Sequence, residues 1–487
     1  MTESRRETPD WALYSPLDAG LAIPQLAVAA LLALTAYVLV CANAVSGEGV
    51  VRAVACGTVA GFAGRRSGDW WLAALIGLIG ALGGFMAIAA MVPSEQIAAA
   101  VNESLLAAFL VAPPIAAGVC YLSGLLPGRR MVEVGALVIV IGLYLYGVGV
   151  LPGPARAGSR QLRQLIASQP EPDTWAVDAG IYLQTYWKMR QGVPFYRAQV
   201  EAFDEDKRFR GSPTGLLGMR QPWIYYLWRA LPGPPAVNIL DWFIAFVCAT
   251  MAVSYLAARR FVAPVAALLA PIALSGYFAL PSLSVWFTLS EYWAGMVAVG
   301  FVCALAYERW NLAAGLVVVG FAFRELMLFL APIYVIAWVL GGRRRSLVPA
   351  LIAATVGPFV LFGVHAYLSP VRGQTAGVSA WLNGGIKPLV EALRFSGAVS
   401  VASRWTYLAV PVAAFAGATQ VRPGRVRWWL CAAVAIPVVS LAVFSSGQWG
   451  VYWGAVAQPM VMTIAPLAAV AMWPAHRPEN PRDPATG

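Results

Sequence analysis

Apolar runs of membrane-spanning length alternate with short polar turns along most of the chain. Spans of about 17–25 residues are expected to begin near Leu21, Gly49, Trp70, Ser104, Met131, Ala236, Val262, Phe287, Leu312, Leu326, Leu347, Trp405, Trp428 and Val451. The pattern predicts about fourteen crossings, although the pair over 312–341 is alternatively one broken or re-entrant unit. One long polar segment, 153–235, interrupts the apolar runs.

The polar segment contains a predicted helix with recognisable ends. Asp173 has the residue type of an N-cap, and Gly192 followed by Pro194 is typical of a helix stop. Between them an acid and two tyrosines recur at i, i+4 and i+8, and so share one helix face: Asp178, Tyr182 and Tyr186. With apolar groups on a second face, this predicts an amphipathic helix lying along the outer membrane surface.

Composition agrees with a polytopic membrane protein, because 60% of the 487 residues are hydrophobic and only 12% are charged. A soluble domain has about 45–50% apolar and about 25% charged residues. The net charge of +11 first indicates basic cytoplasmic loops and anionic headgroups rather than nucleic acid. The cysteines lie in apolar runs without metal-site spacing and are interpreted as small core residues: Cys41, Cys56, Cys120, Cys248, Cys303 and Cys431.

Basic clusters fall on one side of the predicted spans. These are Arg5/Arg6, Arg65/Arg66, Arg129/Arg130, Arg259/Arg260, Arg309, Arg343–Arg345, Arg422/Arg425/Arg427 and Arg477. By the positive-inside rule that side is the cytoplasm. Both termini are then cytoplasmic, and the 153–235 segment lies outside the plasma membrane.

Ionisable residues concentrate near the outer edge of the spans. Each is a functional candidate by default, since charges in a membrane are costly: Asp178, Arg220, Asp241, Glu291, Arg324 and Glu325. Arg324 and Glu325 either pair with each other at a short hairpin or serve a site. His365, near an outer helix end, is either a substrate ligand or a plain interfacial histidine.

This combination of charges suits transfer of a sugar from a lipid phosphate. Arginine matches the geometry of the departing phosphate, and a carboxylate can act as general base on the acceptor hydroxyl. We therefore predict a cavity in which Asp178 faces Arg324 or Arg220 across a sugar-sized gap. Lys188 either touches the phosphate or is solvated.

Four stretches resemble the GT-C superfamily of integral-membrane glycosyltransferases, in particular the actinobacterial polyprenyl-phosphate-mannose-dependent mannosyltransferases. They are VDAGIYLQTYWKMRQGVPFY, MRQPWIYYLW, SEYWAGMVAVGF and FRELMLFLAPIYVIAWVLGGRRR. The resemblance implies an all-α, GT-C-like bundle of about fourteen transmembrane helices with a large extracytoplasmic loop. It also implies a polyprenyl-phosphate sugar donor, mannose-like or another pentose or hexose, and inverting transfer to a lipid or glycan acceptor.

The same resemblance divides the chain and assigns roles. Residues 131–345 form the core with its outer loop, 346–487 add further helices and a cytoplasmic tail, and about five spans precede the loop, so that either 1–130 is an added module or the loop is aligned wrongly. Asp178 is the expected catalytic acid, with Asp173 as fallback. The expected substrate-binding residues are Arg220, Arg324, Glu291, Tyr182, Tyr186, Glu325, Asp241 and His365.

No cofactor is indicated, and the lack of a paired-acid motif in the loop leaves dependence on a divalent metal open. A transporter or flippase of lipid-linked or amphiphilic cargo is the alternative function. It would place its charges near the bilayer midplane on discontinuous helices. A non-catalytic scaffold of an envelope complex is a third possible function.

Overall fold

The computed structural model describes residues 129–150, 155–168, 177–207, 220–262, 264–341, 345–370, 385–394, 406–421, 425–444 and 453–468. Their regular structure is entirely helical, as predicted. The expected spans near Leu21, Gly49, Trp70 and Ser104 lie outside these residues, as does Asp173.

Fifteen helices of eight or more residues organise the described part of the chain. They are α1 (Arg129–Gly147), α2 (Ala155–Ala167), α3 (Val177–Arg190), α4 (Phe195–Glu205), α5 (Trp223–Ala230), α6 (Val237–Arg259), α7 (Leu269–Ser282), α8 (Ser290–Ala306), α9 (Trp310–Phe323), α10 (Leu330–Leu340), α11 (Val348–Leu368), α12 (Ile386–Arg394), α13 (Thr406–Gln420), α14 (Arg425–Phe444) and α15 (Gly454–Ile464). Short helical turns cover Pro264–Ala267, Val285–Thr288, Glu325–Phe329, Arg345–Leu347 and Ala465–Leu467.

Three helices are long and apolar enough to cross a membrane: Val237–Arg259, Arg345–Leu368 and Arg425–Phe444. Seven further apolar helices have 10–17 residues. A helix of 14 residues, such as α9, spans only about 21 Å, less than the roughly 30 Å of a hydrocarbon core. Every predicted span from Met131 onward falls on an apolar helix, while the number of crossings remains a prediction.

The pair over 312–341 is a helical hairpin. Helix α9 ends at Phe323, the 3-10 turn Glu325–Phe329 follows, and α10 begins at Leu330. Arg324 and Glu325 therefore stand at the tip of this hairpin.

Helix α8 is the centre of the bundle. It packs against α6, α9 and α15, and its residues from Ser290 to Gly295 are all buried. A helix that is apolar on all sides is stable only when it is surrounded. Gly295 permits the close approach of α15, because a Cβ there would lie 2.5 Å from the carbonyl oxygen of Ala455.

The helices alternate in direction, so that chemically different residues collect at the two ends of the bundle. At one end the Arg425 guanidinium donates to the Gly341 carbonyl at 3.2 Å, and the Tyr307 hydroxyl donates to the Leu256 carbonyl at 3.2 Å. At the opposite end Tyr144 shares a 2.6 Å hydrogen bond with Ser282. We call the end that carries Arg259, Arg309 and Arg425 the basic end. The opposite end, where the carboxylates of Asp178, Glu291 and Glu325 lie beside arginines, we call the acidic end.

Helices α3, α4 and α5 cover the acidic end. Helix α3 stops as predicted, because Gly192 has φ +94°. Its N–H donates to the Met189 carbonyl at 3.1 Å, and that of Val193 donates to Lys188 at 3.0 Å. This pair of bonds is a Schellman motif, which closes a helix at a residue in the left-handed conformation.

The amphipathic character expected of α3 is wrong. Its buried residues occupy nearly every side of the helix: Ala179, Gly180, Ile181, Tyr182, Leu183, Thr185, Tyr186 and Met189. Contacts with α4, α5 and the turn Val285–Thr288 enclose it. The i, i+4, i+8 spacing identified one face correctly, but packing partners also cover the other sides.

Candidate functional site

The candidate site begins at the first turn of α3, where Asp178 lies. Its Oδ1 is 3.8 Å from Nη2 of Arg220, and the two side chains are 24% and 12% exposed. The predicted approach of an acid and an arginine from distant parts of the loop is therefore observed. The expected sugar-sized gap between them is wrong, because at 3.8 Å the two groups form a direct ion pair.

The guanidinium of Arg220 lies over an aromatic stack. Its guanidinium carbon lies 5.7 Å from the centre of the Tyr182 ring, a cation–π distance. The Tyr182 ring in turn stacks on Tyr225, with ring centres 5.7 Å apart and planes inclined by 10°. The backbone N–H of Arg220 donates to Oε1 of Gln199 on α4 at 3.2 Å.

The buried tyrosines of this stack are neutral hydrogen-bonding groups. Burial raises the pKa of Tyr182 above its ordinary value, and the nearby Arg220 charge only partly opposes that rise. Burial likewise raises the pKa of Tyr225. Both phenols therefore keep their protons at neutral pH.

A hydrogen-bond chain connects the stack to α8. Ser290 donates to Oε2 of Glu291 at 3.4 Å and shares a 2.9 Å bond with the Tyr182 hydroxyl. Since the serine proton points to the carboxylate, Tyr182 is the donor to Ser290. The chain therefore fixes the ring on which Arg220 rests.

Arg324 lies at the inner end of this chain between two carboxylates. Its Nε is 2.7 Å from Oε1 of Glu291, and its Nη1 donates to Oε1 of Glu325 at 2.8 Å. Arg324 and Glu291 are 2% and 0% exposed. The contact with Glu291 is an ion pair without hydrogen-bond alignment. Mutual pairing, one of the two expectations for Arg324 and Glu325, is observed.

The remaining predicted residues lie apart from this cluster. Asp241 pairs with Arg163 of α2 at 2.6 Å, and its side chain is 47% exposed. The Tyr186 hydroxyl donates to Asn238 at 3.4 Å. Both contacts tie the outer helices to α6.

His365 is buried and meets the outer helices. Its Nδ1 shares a 3.0 Å hydrogen bond with Tyr196 of α4. Burial raises the pKa of Tyr196 to about 12. The Tyr196 ring contacts Phe195, and Phe195 contacts Tyr225, with ring centres 4.9 and 5.0 Å apart, so a series of ring contacts connects His365 to the stack.

Lys188 belongs to the α3–α4 hairpin rather than to the cluster. Its Nζ lies 2.6 Å from Glu205 and 3.5 Å from Glu201. The two neighbouring carboxylates account for its position.

Sequence reasoning missed three polar residues of the site: Ser290, Gln199 and Gln221. Ser290 directly precedes Glu291 at the start of a buried helix, a signal that was available. The two glutamines stand among ordinary loop residues, and only the fold shows that they are buried.

Among the described residues, no group of three or more His, Cys, Asp or Glu side chains is arranged to hold a metal ion. No protein-family model, curated protein or solved structure matches this chain.

Proposed function

We propose that the protein is an integral-membrane glycosyltransferase that moves a sugar from a polyprenyl-phosphate donor to a lipid or glycan acceptor. The observation that carries the proposal is the partly exposed pair of Asp178 and Arg220, set on a rigid aromatic stack at the acidic end. A carboxylate and a guanidinium at one membrane edge are the two groups that this transfer needs.

In the proposed reaction Asp178 is the general base. The acceptor oxygen forms a bond to the anomeric carbon while its proton passes to Asp178. The bond from that carbon to the phosphate oxygen breaks, and the lipid phosphate leaves with inversion at the carbon. Arg220 changes partner from Asp178 to the donor phosphate, which frees the carboxylate to accept the proton.

Arg324 receives a different role from the phosphate ligand first expected. It already contacts two carboxylates, Glu291 and Glu325, so its charge is satisfied. We assign it to positioning: it holds Glu291, which holds Ser290 and thereby Tyr182. Arg220, the more exposed of the two arginines, is then the cation assigned to the donor phosphate.

The proposed architecture is a GT-C-like bundle of about fourteen crossings in the plasma membrane. Its basic end faces the cytoplasm and its acidic end faces outward. The collection of arginines Arg259, Arg260, Arg309 and Arg425 at one end supports this orientation through the positive-inside rule.

The test is sugar transfer by the purified protein in liposomes supplied with radiolabelled polyprenyl-phosphate sugars and a membrane-lipid acceptor extract. The Asp178→Asn variant is expected to lose at least about a hundredfold in rate, the usual size of a general-base contribution. Asp204→Asn, an exposed acid on α4, is the matched control and should retain activity.

Transfer that survives Asp178→Asn would move the base to Asp173, Asp241 or Glu291. The wild type could instead transfer sugar from none of the donors and move the labelled lipid between leaflets. That result would replace the glycosyltransferase proposal by the flippase alternative.

A further inference from the structure

Two buried glutamines flank the backbone of Arg220. Gln199 of α4 and Gln221, the residue after Arg220, are 0% and 2% exposed. The Oε1 of Gln199 accepts the Arg220 N–H at 3.2 Å, but among the residues that the structure describes its Nε2 donor has no partner. The Oε1 acceptor of Gln221 has no partner either.

An amide atom buried without a partner costs free energy, and proteins satisfy almost all such atoms. One unsatisfied donor and one unsatisfied acceptor therefore stand beside the cation of the candidate site. The ligand that completes them must both accept and donate hydrogen bonds.

This requirement favours a hydroxyl group over a phosphate as the ligand of the two amides. A hydroxyl group donates one proton and accepts on its lone pairs, so vicinal hydroxyls of a sugar satisfy Nε2 of Gln199 and Oε1 of Gln221 together. An ionised phosphate offers acceptors only, and the oxygen of Gln221 would repel it. A sugar carboxylate placed at the Gln221 oxygen would meet the same repulsion.

The location agrees with the order of groups in a lipid-phosphate sugar. Arg220 is adjacent to both amides through its own backbone, while its guanidinium extends to Asp178. The subsite requires that the sugar attached to a phosphate at the guanidinium turns back toward the glutamines.

We propose that Gln199 and Gln221 form a sugar subsite that takes the hydroxyls of a neutral hexose or pentose on the donor. The proposal rests on the proposed function, because it assigns the sugar end of the same donor.

The experiment measures binding rather than transfer. Purified protein in detergent is titrated with radiolabelled polyprenyl-phosphate hexose and, separately, with polyprenyl phosphate lacking the sugar. Gln221→Met is expected to lower the affinity for the hexose lipid by roughly tenfold, which corresponds to the loss of one buried hydrogen bond. The affinity for the sugarless lipid should be unchanged. Gln191→Met, an exposed glutamine after α3, is the matched control.

Folding is checked through the melting temperature. Because Met removes an unpaired buried acceptor and keeps the shape, Gln221→Met should melt at or above the wild type. Gln199→Met provides a second variant, should the first fail to fold; because it also removes the acceptor of the Arg220 N–H, it should weaken the affinity for the hexose lipid at least as much.

The outcomes distinguish the two proposals. Equal affinity of wild type and folded Gln221→Met or Gln199→Met for the hexose lipid would overturn the sugar subsite and leave the glycosyltransferase in place. A wild type that binds neither lipid would overturn both.

Discussion

At the scale of residues, two arginine–carboxylate contacts of similar length have opposite surroundings. Arg324 meets Glu291 at 2.7 Å with both side chains almost fully buried. Arg163 meets Asp241 at 2.6 Å with side chains 28% and 47% exposed. Water screens the second pair and is excluded from the first, so equal distances do not mean equal energies.

Arg324→Met should lower the free energy of unfolding by about 3–5 kcal/mol, because it leaves the buried Glu291 and the partly exposed Glu325 as charges without their cation. Arg163→Met should change it by about 1 kcal/mol or less. Thermal unfolding of both variants in the same detergent checks the contrast.

The triple variant Arg324→Met, Glu291→Gln, Glu325→Gln separates charge from packing. It removes all three charges and should recover most of the lost stability. Equal melting temperatures of Arg324→Met and Arg163→Met would contradict the description of Arg324 and Glu291 as a buried ion pair.

The sequence predicted part of this site. Adjacent Arg324 and Glu325 in an apolar run predicted costly charges that either pair or serve a site, and Glu291 was expected at the outer edge of its span as a substrate-binding residue. The burial of Gln199 and Gln221 could not be foreseen, because it results from α4 and the start of α5 folding over α3. Asp241 carried the same sequence signal as Glu291, yet its helix turns it toward α2.

At the scale of elements, two glycines of α8 differ in what surrounds them. A Cβ on Gly295 would lie 2.5 Å from the Ala455 carbonyl oxygen and 2.9 Å from Pro459 Cγ, whereas one on Gly300 would meet Leu316 at an ordinary 3.6 Å. Only the first glycine is required for the contact between α8 and α15.

Gly295→Ala should therefore destabilise the protein by about 1–3 kcal/mol, the usual cost of overpacking. Gly300→Ala should be neutral or stabilising by up to about 1 kcal/mol, since alanine favours the helix. Melting temperatures of the two variants in one detergent give the comparison. A Gly295→Ala protein as stable as Gly300→Ala would mean that α8 and α15 are further apart.

Element ends were predictable where local chemistry sets them. Gly192 and Pro194 end α3 and begin α4 because one adopts the left-handed conformation and the other cannot continue the hydrogen-bond ladder. What α3 packs against depends on α5 and on the turn before α8. The sequence of α3 carries no information about those distant partners. The prediction that α3 is an amphipathic surface helix was therefore wrong, because the helix is buried on nearly all sides.

At the scale of the whole molecule, the two ends of the bundle should face different compartments. Gln191 is exposed at the acidic end and Tyr307 at the basic end. In a variant with the six native cysteines replaced, Gln191→Cys should react with an impermeant maleimide in intact cells. Tyr307→Cys should react only after permeabilisation.

The reverse labelling pattern would invert the membrane orientation and place the candidate site inside the cell. Labelling of both positions in intact cells would contradict any fixed sidedness. Labelling of both cysteines in the folded, purified protein is the control for reagent access. A cysteine that fails to react there gives no information on sidedness.

The enclosed Arg324 has a consequence for how the protein is made. Glu291 precedes Arg324 in the chain, so in the proposed topology the carboxylate would enter the bilayer before its cation is synthesised. We therefore expect α8 alone to be an incomplete insertion product that the translocon or a chaperone holds until the α9–α10 hairpin follows. A ribosome stalled after α8 should leave a nascent chain that membrane quality-control proteases destroy, while one stalled after α10 should leave a chain that persists.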